Sequence, residues 1–525
     1  MLARLHSVTL EGIEGVICEV EVDVARGGLE KSLIVGLPDA AVKESIERVK
    51  SAIINSGHKY PKTQSLVNLA PADVKKVGPA FDLPIALGIL IGQGTLANPY
   101  MKDFIIIGEL ALDGRVRPVN GVLSMAMTAA ANGFCRMIVP LDNAKEAAVV
   151  ADIEVYGVGS LAQAVSFLAG QLALETTTVS IDELFNVASN YEVDFADVKG
   201  QESVKRALTV AAAGGHNIMM IGPPGAGKTM LAQRLATILP PLSLQESLET
   251  TRIYSSIGLV DKNSALLATR PVRMPHHSSS GPALIGGGTT PRPGELSLAH
   301  FGILFLDEFV EFPRHVLEMI RQPLEDGFVI VSRAKKTVRF PAQFMLVAAM
   351  NPCPCGYFGT DARRCRCTPG QIERYLSKIS GPLVDRIDIH VDVPAITFSK
   401  LRSKSSQLGS ETIRAEVERA RAIQARRFGA PHPVGGMRVP SGHVSPLGSL
   451  TNARMNHKQV RKFCELDSAS EMLLKQAMTE FGLSARAHDK ICKVARTIAD
   501  LAGQENIHPE HIAEAISYRK LDRKL

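Results

Sequence analysis

No stretch of this 525-residue sequence is long and apolar enough to span a bilayer. The most apolar one, Leu83 to Leu96, falls short of the ~20 residues a spanning helix needs and is broken by glycines, so it predicts a buried core segment. The N-terminus, Met1-Leu-Ala-Arg-Leu-His6, has no apolar run followed by a small-residue cleavage site, which makes a cytoplasmic protein the expectation. Eight cysteines are too sparse for a disulfide framework in a chain of this size. There is no internal repeat and no low-complexity tract. With 45% hydrophobic and 21% charged residues the composition excludes a disordered or fibrous class. What remains is a soluble globular chain long enough for about three domains.

The net charge of +6 is unevenly placed. Residues 395–525 hold 22 Lys/Arg against 13 Asp/Glu, a surplus of nine, whereas residues 1–394 hold 37 against 40. A basic tail on a near-neutral body suits a polyanion such as nucleic acid, and it equally suits ordinary solvated helix faces.

Residues 1–171 alternate strand-like runs (Ile17 to Val24, Phe104 to Ile107, Met137 to Val139) with helix-like ones (Ala40 to Asn55, Asn143 to Val150), which predicts a mixed α/β domain. Residues 172–193 read as a linker with one short helical pattern, Ile181 to Ala188. In 194–394 the apolar strands Ile218 to Ile221, Ile303 to Leu306, Phe344 to Ala349 and Ile387 to Val393 alternate with helices, the pattern of a parallel sheet with helical crossovers. Residues 395–525 predict an all-α domain: a basic helix from Glu411 to Arg427, a Ser/Gly/Pro-rich connector from Pro431 to Leu450, then helices to Tyr518.

The chemistry is concentrated in the third of these stretches. Gly222-Pro223-Pro224-Gly225-Ala226-Gly227-Lys228-Thr229 matches G-x-x-x-x-G-K-[ST], follows an apolar strand and opens a helical pattern, Met230 to Ile238. The glycines free backbone N–H groups to turn around phosphates, Lys228 offers a point charge to the β/γ oxygens, and Thr229 offers a hydroxyl to Mg²⁺. The run Ile303-Leu-Phe-Leu-Asp307-Glu308 ends a buried strand in two carboxylates, Asp307 for the Mg²⁺ shell and Glu308 to orient or deprotonate the attacking water. A third strand ends in Asn351, placed for the γ-phosphate if it neighbours the Asp307 strand. Binding and hydrolysis of ATP with Mg²⁺ follow as expectations.

These residues, with Arg292-Pro-Gly-Glu-Leu-Ser-Leu-Ala-His-Phe-Gly and Asn351-Pro-Cys-Pro-Cys-Gly356, resemble the ComM/YifB family of magnesium-chelatase-like proteins over essentially the whole chain. The resemblance implies an α/β fold with a P-loop AAA+ core of the helix-2-insert clade and a C-terminal α-helical lid domain. It also implies a homo-oligomeric, hexameric ring and DNA branch migration or helicase activity during natural transformation. Asn351 is then similar to a sensor 1 residue. Arg270 to His300, with His276 and His277, resembles the helix-2 insert, whose two histidines would face the ring pore. Phe328 to Phe340 resembles a pre-sensor-1 hairpin whose tip, Arg333, Lys335 and Lys336, would meet DNA phosphates. Arg386, in Leu383-Val-Asp-Arg-Ile-Asp388, resembles an arginine finger acting in trans, a simple ion pair to Asp385 or Asp388 being the alternative. Arg486 resembles a sensor 2 arginine, with Arg496 a weaker candidate. A magnesium-chelatase-type subunit remodelling a partner protein stays open beside the DNA motor.

Two further features stand apart. Cys353-x-Cys355 and Cys365-x-Cys367 put four thiolates within reach of one Zn²⁺, the tight C-x-C spacing leaving free thiols or a redox pair open. Val77-Gly-Pro-Ala-Phe-Asp-Leu-Pro84 and Gly108 to Gly121 resemble the proteolytic domain of Lon. Ala80 stands where the nucleophile would be, and Val122, Leu123 and Ser124 where the lysine would be, so a scaffold without peptidase activity is expected.

Overall fold

The computed structural model describes residues 2–27, 31–97, 103–181, 185, 191, 193–261, 264–288, 290–333, 336–360, 363–395, 408–429 and 450–519, the side chains of 333 and 336 excepted. Among the described residues no helix is long and apolar enough to cross a membrane. The chain divides by its internal contacts into two units.

The first unit holds the described residues of 1–188 together with 243–268. Its seven-stranded mixed sheet runs in the order Lys31–Val35, Gln64–Ala70, Glu14–Val24, Leu2–Glu11, Phe104–Ile106, Arg136–Pro140, Glu154–Val158. Leu2–Glu11 and Glu14–Val24 form an antiparallel hairpin with Leu2 opposite Asp23. The segment expected to be buried core is the helix Asp82–Gly92, apolar on every side and therefore sunk whole into the unit. Gly88 lets it settle on the sheet, since a Cβ there would lie 2.5 Å from Val22 Cγ2. The helix Ala40–Asn55 is capped by Asp39, whose carboxylate accepts from Val42 N at 2.8 Å. The helix expected over Asn143 to Val150 shrinks to one turn, Ala144–Ala147. The Asn143 amide is committed to the backbone of Val119, accepting from its N at 2.9 Å and donating to its O at 3.1 Å, which leaves Asn143 outside the turn as its N-cap.

Residues 243–268 pack with this first unit although the chain on either side of them belongs to the second. Their helix, Leu244–Ser256, opens on a capping box between Ser243 and Glu246. Arg252 donates to Ser124 Oγ at 3.2 Å, to Ile13 O at 3.2 Å and to Glu14 at 2.7 Å. Ser255 donates to the buried carboxylate of Glu146, while Leu248, Ala265 and Leu266 join Leu123 and Val149 in one apolar cluster. Burial pushes the Glu146 carboxyl above the ordinary carboxylate range, against the hydrogen bonds from Ser255, Leu123 and Asn143.

The second unit contains a five-stranded parallel sheet in the order Val272–Arg273, Ile303–Leu306, Met345–Met350, Ile218–Ile221, Ile389–Asp392. Three of these strands are buried at every residue, as continuous apolar runs in a sheet covered on both faces should be. The register pairs Phe305 with Val347 and Val347 with Ile218, so the ends of the three central strands lie side by side. After residue 408 come five described α-helices: Ser410–Arg427, His457–Phe463, Ser468–Phe481, Ala485–Leu501 and Pro509–Ser517. They pack on the same unit as the sheet: Gln424 donates to Ala213 O at 3.0 Å and His216 Nε2 lies 2.8 Å from Thr497 Oγ1. The pattern at Ile181 to Ala188 and the connector from Pro431 to Leu450 lie, apart from single residues, outside the described residues.

Candidate active site

The chain leaves the strand Ile218–Ile221 at Gly222, where a side chain is excluded because a Cβ would collide with the carbonyl oxygen of Val393. Gly225 and Gly227 take left-handed φ of 74° and 86°, and the helix Lys228–Ile238 starts directly after them. The loop is braced by Gln201, whose amide donates at 2.9 Å both to Ala226 O and to Pro394 O. Nothing in the sequence pattern marks Gln201, because its contacts are to distant backbone oxygens.

Lys228 Nζ turns back over this loop. It donates to Gly222 O at 2.7 Å, Pro223 O at 3.1 Å and Asn351 Oδ1 at 3.1 Å. Burial lowers the ammonium's pKa, and Asp307 and Glu308 work in the other direction. Thr229 Oγ1 donates to Asp307 Oδ2 at 2.8 Å, and Asp307 Oδ1 accepts from Glu308 N at 2.9 Å. The strand ending in Asn351 lies between the Asp307 strand and the loop strand, so Lys228, Thr229, Asp307 and Asn351 form one connected group. An ammonium and a hydroxyl at the start of a helix, with a carboxylate and an amide at the ends of neighbouring strands, are the set of groups that suits a triphosphate with a hard divalent cation.

Glu308 belongs to the same strand end but faces elsewhere. Its backbone is left-handed, with φ 49°, a costly conformation for a glutamate. Its carboxylate lies 2.9 Å from His277 Nδ1, and His277 in turn stacks on His276 with ring centroids 4.1 Å apart. His277 is thus set beside the second carboxylate, a contact between loops that no local pattern announces, while His276 Nδ1 lies 2.8 Å from Ser278 Oγ.

The arginines separate. Arg386 pairs with Glu325 rather than with Asp385 or Asp388, donates to Pro382 O at 2.6 Å, and its buried Nε has no partner among the described residues. Asp388 is engaged by Lys490 and accepts from Asn217 N at 3.2 Å. Although burial opposes ionisation, Lys490 and His216 hold its carboxyl below the ordinary range. Arg486 is exposed on the first turn of its helix, after the N-cap Ser484. Arg496 is buried, bound to Asp500 at 3.1 Å and to the carbonyls of Gln504 and Glu505 at 2.6 Å, a set of contacts that ties down the end of its own helix.

The strands Phe328–Arg333 and Lys336–Pro341 pair as an antiparallel hairpin with Arg333 opposite Lys336. Lys335, and the side chains of Arg333 and Lys336, lie outside the described residues.

Directly beyond Asn351 the four cysteines converge. Cys353 Sγ lies 3.4 Å from Cys355 and 3.8 Å from Cys365, Cys355 lies 3.6 Å from Cys365, and all four sulfurs, Cys367 included, fall within 4.8 Å of one another. With Zn–S of about 2.3 Å, a tetrahedral site requires sulfurs about 3.8 Å apart, so the cluster has the dimensions of a zinc centre with four thiolate ligands. Backbone N–H groups of Arg366 and Tyr357 stabilise the Cys355 thiolate and bring its pKa down to about 6. The cysteine loop touches the phosphate loop: a Cβ on Gly356 would lie 2.5 Å from Pro224 Cδ.

In the first unit, Ala80 is buried and Ser124 Oγ is held by Arg252.

Three family models match the chain: magnesium chelatase subunit ChlI over residues 194–401, subunit ChlI of Mg-chelatase over 20–143, and the ChlI C-terminal model over 407–519. Fold and matches together define a magnesium-chelatase-like protein built on a parallel-sheet core. Over 527 aligned residues, 100% of this chain and 98% of its relative, it is 42% identical to the competence protein ComM of Haemophilus influenzae. It is 40% identical to YifB of Escherichia coli over 100% of this chain and 98% of that protein. The chain therefore belongs to the ComM/YifB family. Similarity to the magnesium-chelatase 38 kDa subunit of Rhodobacter capsulatus is narrower, 27% over 30% of this chain and 50% of that subunit.

Proposed function

We propose that the chain is an ATP-hydrolysing AAA+ motor of the helix-2-insert clade that assembles into a hexameric ring, translocates on DNA and moves branched junctions. The observation that carries the ATPase is the connected group Lys228, Thr229, Asp307 and Asn351 at the ends of three adjacent strands. The glycine loop 222–227 cradles the phosphates with its N–H groups, and Lys228 neutralises the β/γ oxygens. Thr229 and Asp307 would hold Mg²⁺, which would neutralise further phosphate charge when bound. Glu308 takes the proton of a water as its oxygen bonds to the γ-phosphorus and the bond to the β-bridging oxygen breaks, releasing ADP and phosphate. Asn351 orients the γ-phosphate. Arg386 acts on a neighbouring subunit's site once freed from Glu325, and Arg486 serves as the sensor 2 arginine of the helical lid.

The DNA reading draws on the printed role of ComM in competence, the basic 395–525 region and the basic hairpin tip at Arg333, Lys335 and Lys336. A chelatase-type subunit that remodels a partner protein is the second reading, favoured by the family models over the core. The two separate in one assay: ATP hydrolysis with and without forked or four-way DNA, alongside a labelled junction. The motor predicts faster hydrolysis with DNA and ATP-dependent strand displacement, and the absence of both rejects it. Zn²⁺ in the Cys353, Cys355, Cys365, Cys367 cluster completes the proposal as a structural metal, its fit resting on the sulfur spacings.

A further inference from the structure

The loop that carries the four cysteines presents more than thiolates. It leaves the strand Met345–Met350 and runs into the helix Pro369–Leu376, and residues 353–378 hold five Lys/Arg against two Asp/Glu. The sulfurs occupy the backbone: Phe358 N donates to Cys353 Sγ at 3.3 Å, Cys367 N donates to Cys365 Sγ at 3.4 Å, and the N–H groups of Tyr357 and Arg366 serve Cys355. The backbone is thereby fixed around the cluster while several large side chains stay in water. Arg363, Arg364 and Arg366 are all exposed. No carboxylate among the described residues pairs with any of the three, whereas Lys378 is taken by Glu311 at 3.3 Å. Phe358 is 44% exposed, a cost that its burial elsewhere would avoid. Its neighbour Tyr357 has the Arg363 guanidinium over its ring, 5.4 Å from the centroid.

Free guanidinium groups beside an exposed phenyl ring suit a single nucleic-acid strand: the cations follow the phosphates, and the ring stacks on a base that no second strand occupies. A duplex offers the same phosphates but keeps its bases stacked on one another. An acidic peptide would use the arginines and leave the ring idle. We propose that the cysteine loop binds single-stranded DNA, with Phe358 stacking on a base and Arg363, Arg364 and Arg366 meeting the phosphates around it. The inference rests on the DNA reading above and adds to it a contact distinct from the hairpin tip. The same loop abuts the phosphate loop through Gly356 and Pro224, so a strand bound here sits one contact away from it.

The test is fluorescence anisotropy of labelled oligo(dT) with the full chain, read beside a labelled blunt duplex. Phe358→Ala should weaken oligo(dT) binding about 10-fold, the loss of one stacked base, and leave duplex binding as it was. Phe358→Leu fills a similar volume without an aromatic face and should lose the same affinity, whereas Phe358→Tyr should bind as the original chain does. Arg364→Ala should weaken both ligands and make the salt dependence of oligo(dT) binding shallower by about 0.7 in log–log slope. If these variants all bind oligo(dT) like the original chain, the loop is not the contact, and the DNA reading stands without it. If the original chain binds neither oligo(dT) nor duplex, both fall together. Equal losses on duplex and oligo(dT) in Phe358→Ala overturn the single-strand assignment, and a loss in Phe358→Tyr as large as in Phe358→Ala overturns the stacking.

Discussion

Replacing Lys228 with alanine is expected to lower kcat/KM for ATP by at least about 10²-fold, because the side chain supplies the charge that phosphate transfer needs most. Its ammonium is partly desolvated and aimed into the loop by three oxygens, those of Gly222, Pro223 and Asn351. An ammonium in that setting interacts with phosphate far more strongly than one in water. Glu308→Gln should cost kcat about as much, by removing the proton acceptor while keeping shape. The two variants should part company in binding. Lys228→Ala should lose affinity for a fluorescent ATP analogue, whereas Glu308→Gln should keep it and trap the nucleotide. If Lys228→Ala still binds and hydrolyses ATP normally, the loop is not a phosphate site. Stability separates from chemistry here: three acceptors lose their donor, a cost on the order of 1 kcal/mol each when water cannot replace it.

The second large effect concerns the cysteines. Elemental analysis of protein never exposed to chelator should find about one zinc per chain, and Cys355→Ser should lose most of it, since three thiolates hold zinc far more weakly than four. Hydrolysis should fall with the metal, by roughly 10-fold, even though no cysteine is assigned to phosphate chemistry. The route is mechanical: Cys353 follows Asn351 by two residues, and Gly356 rests against Pro224 with no room for a side chain. Loosening the cluster frees both the Asn351 amide and one wall of the loop. A chain that carries no zinc as purified, or a Cys355→Ser variant with full metal content, removes the assignment.

The strands were the most legible part of the sequence. Ile218–Ile221 and Ile303–Leu306 stand where their apolar runs place them, because a strand covered on both faces writes its burial into every residue. Gly222, Asp307, Glu308 and Asn351 were readable as strand ends for the same reason. What the sequence withheld were pairings across loops. Arg386 found Glu325, Asp388 found Lys490, and Glu308 found His277, each partner being distant in the chain and of a type found on any surface. The helix Leu244–Ser256 was hidden differently. Its pattern shows that one face is buried but cannot say against what, and the answer was a cluster around Leu123 and Val149 rather than the sheet its neighbours in sequence build.

That borrowed helix bears on how the molecule is made. Emerging from the ribosome, the first unit cannot close over Leu123 and Val149 until residue 268 has been synthesised, by which point the whole phosphate loop has already appeared. A fragment cut near residue 190 would leave Glu146 buried without Ser255 and Ser124 without Arg252, and would present bare apolar surface to water. The first unit is thus completed by a stretch of chain that the second unit's sequence surrounds.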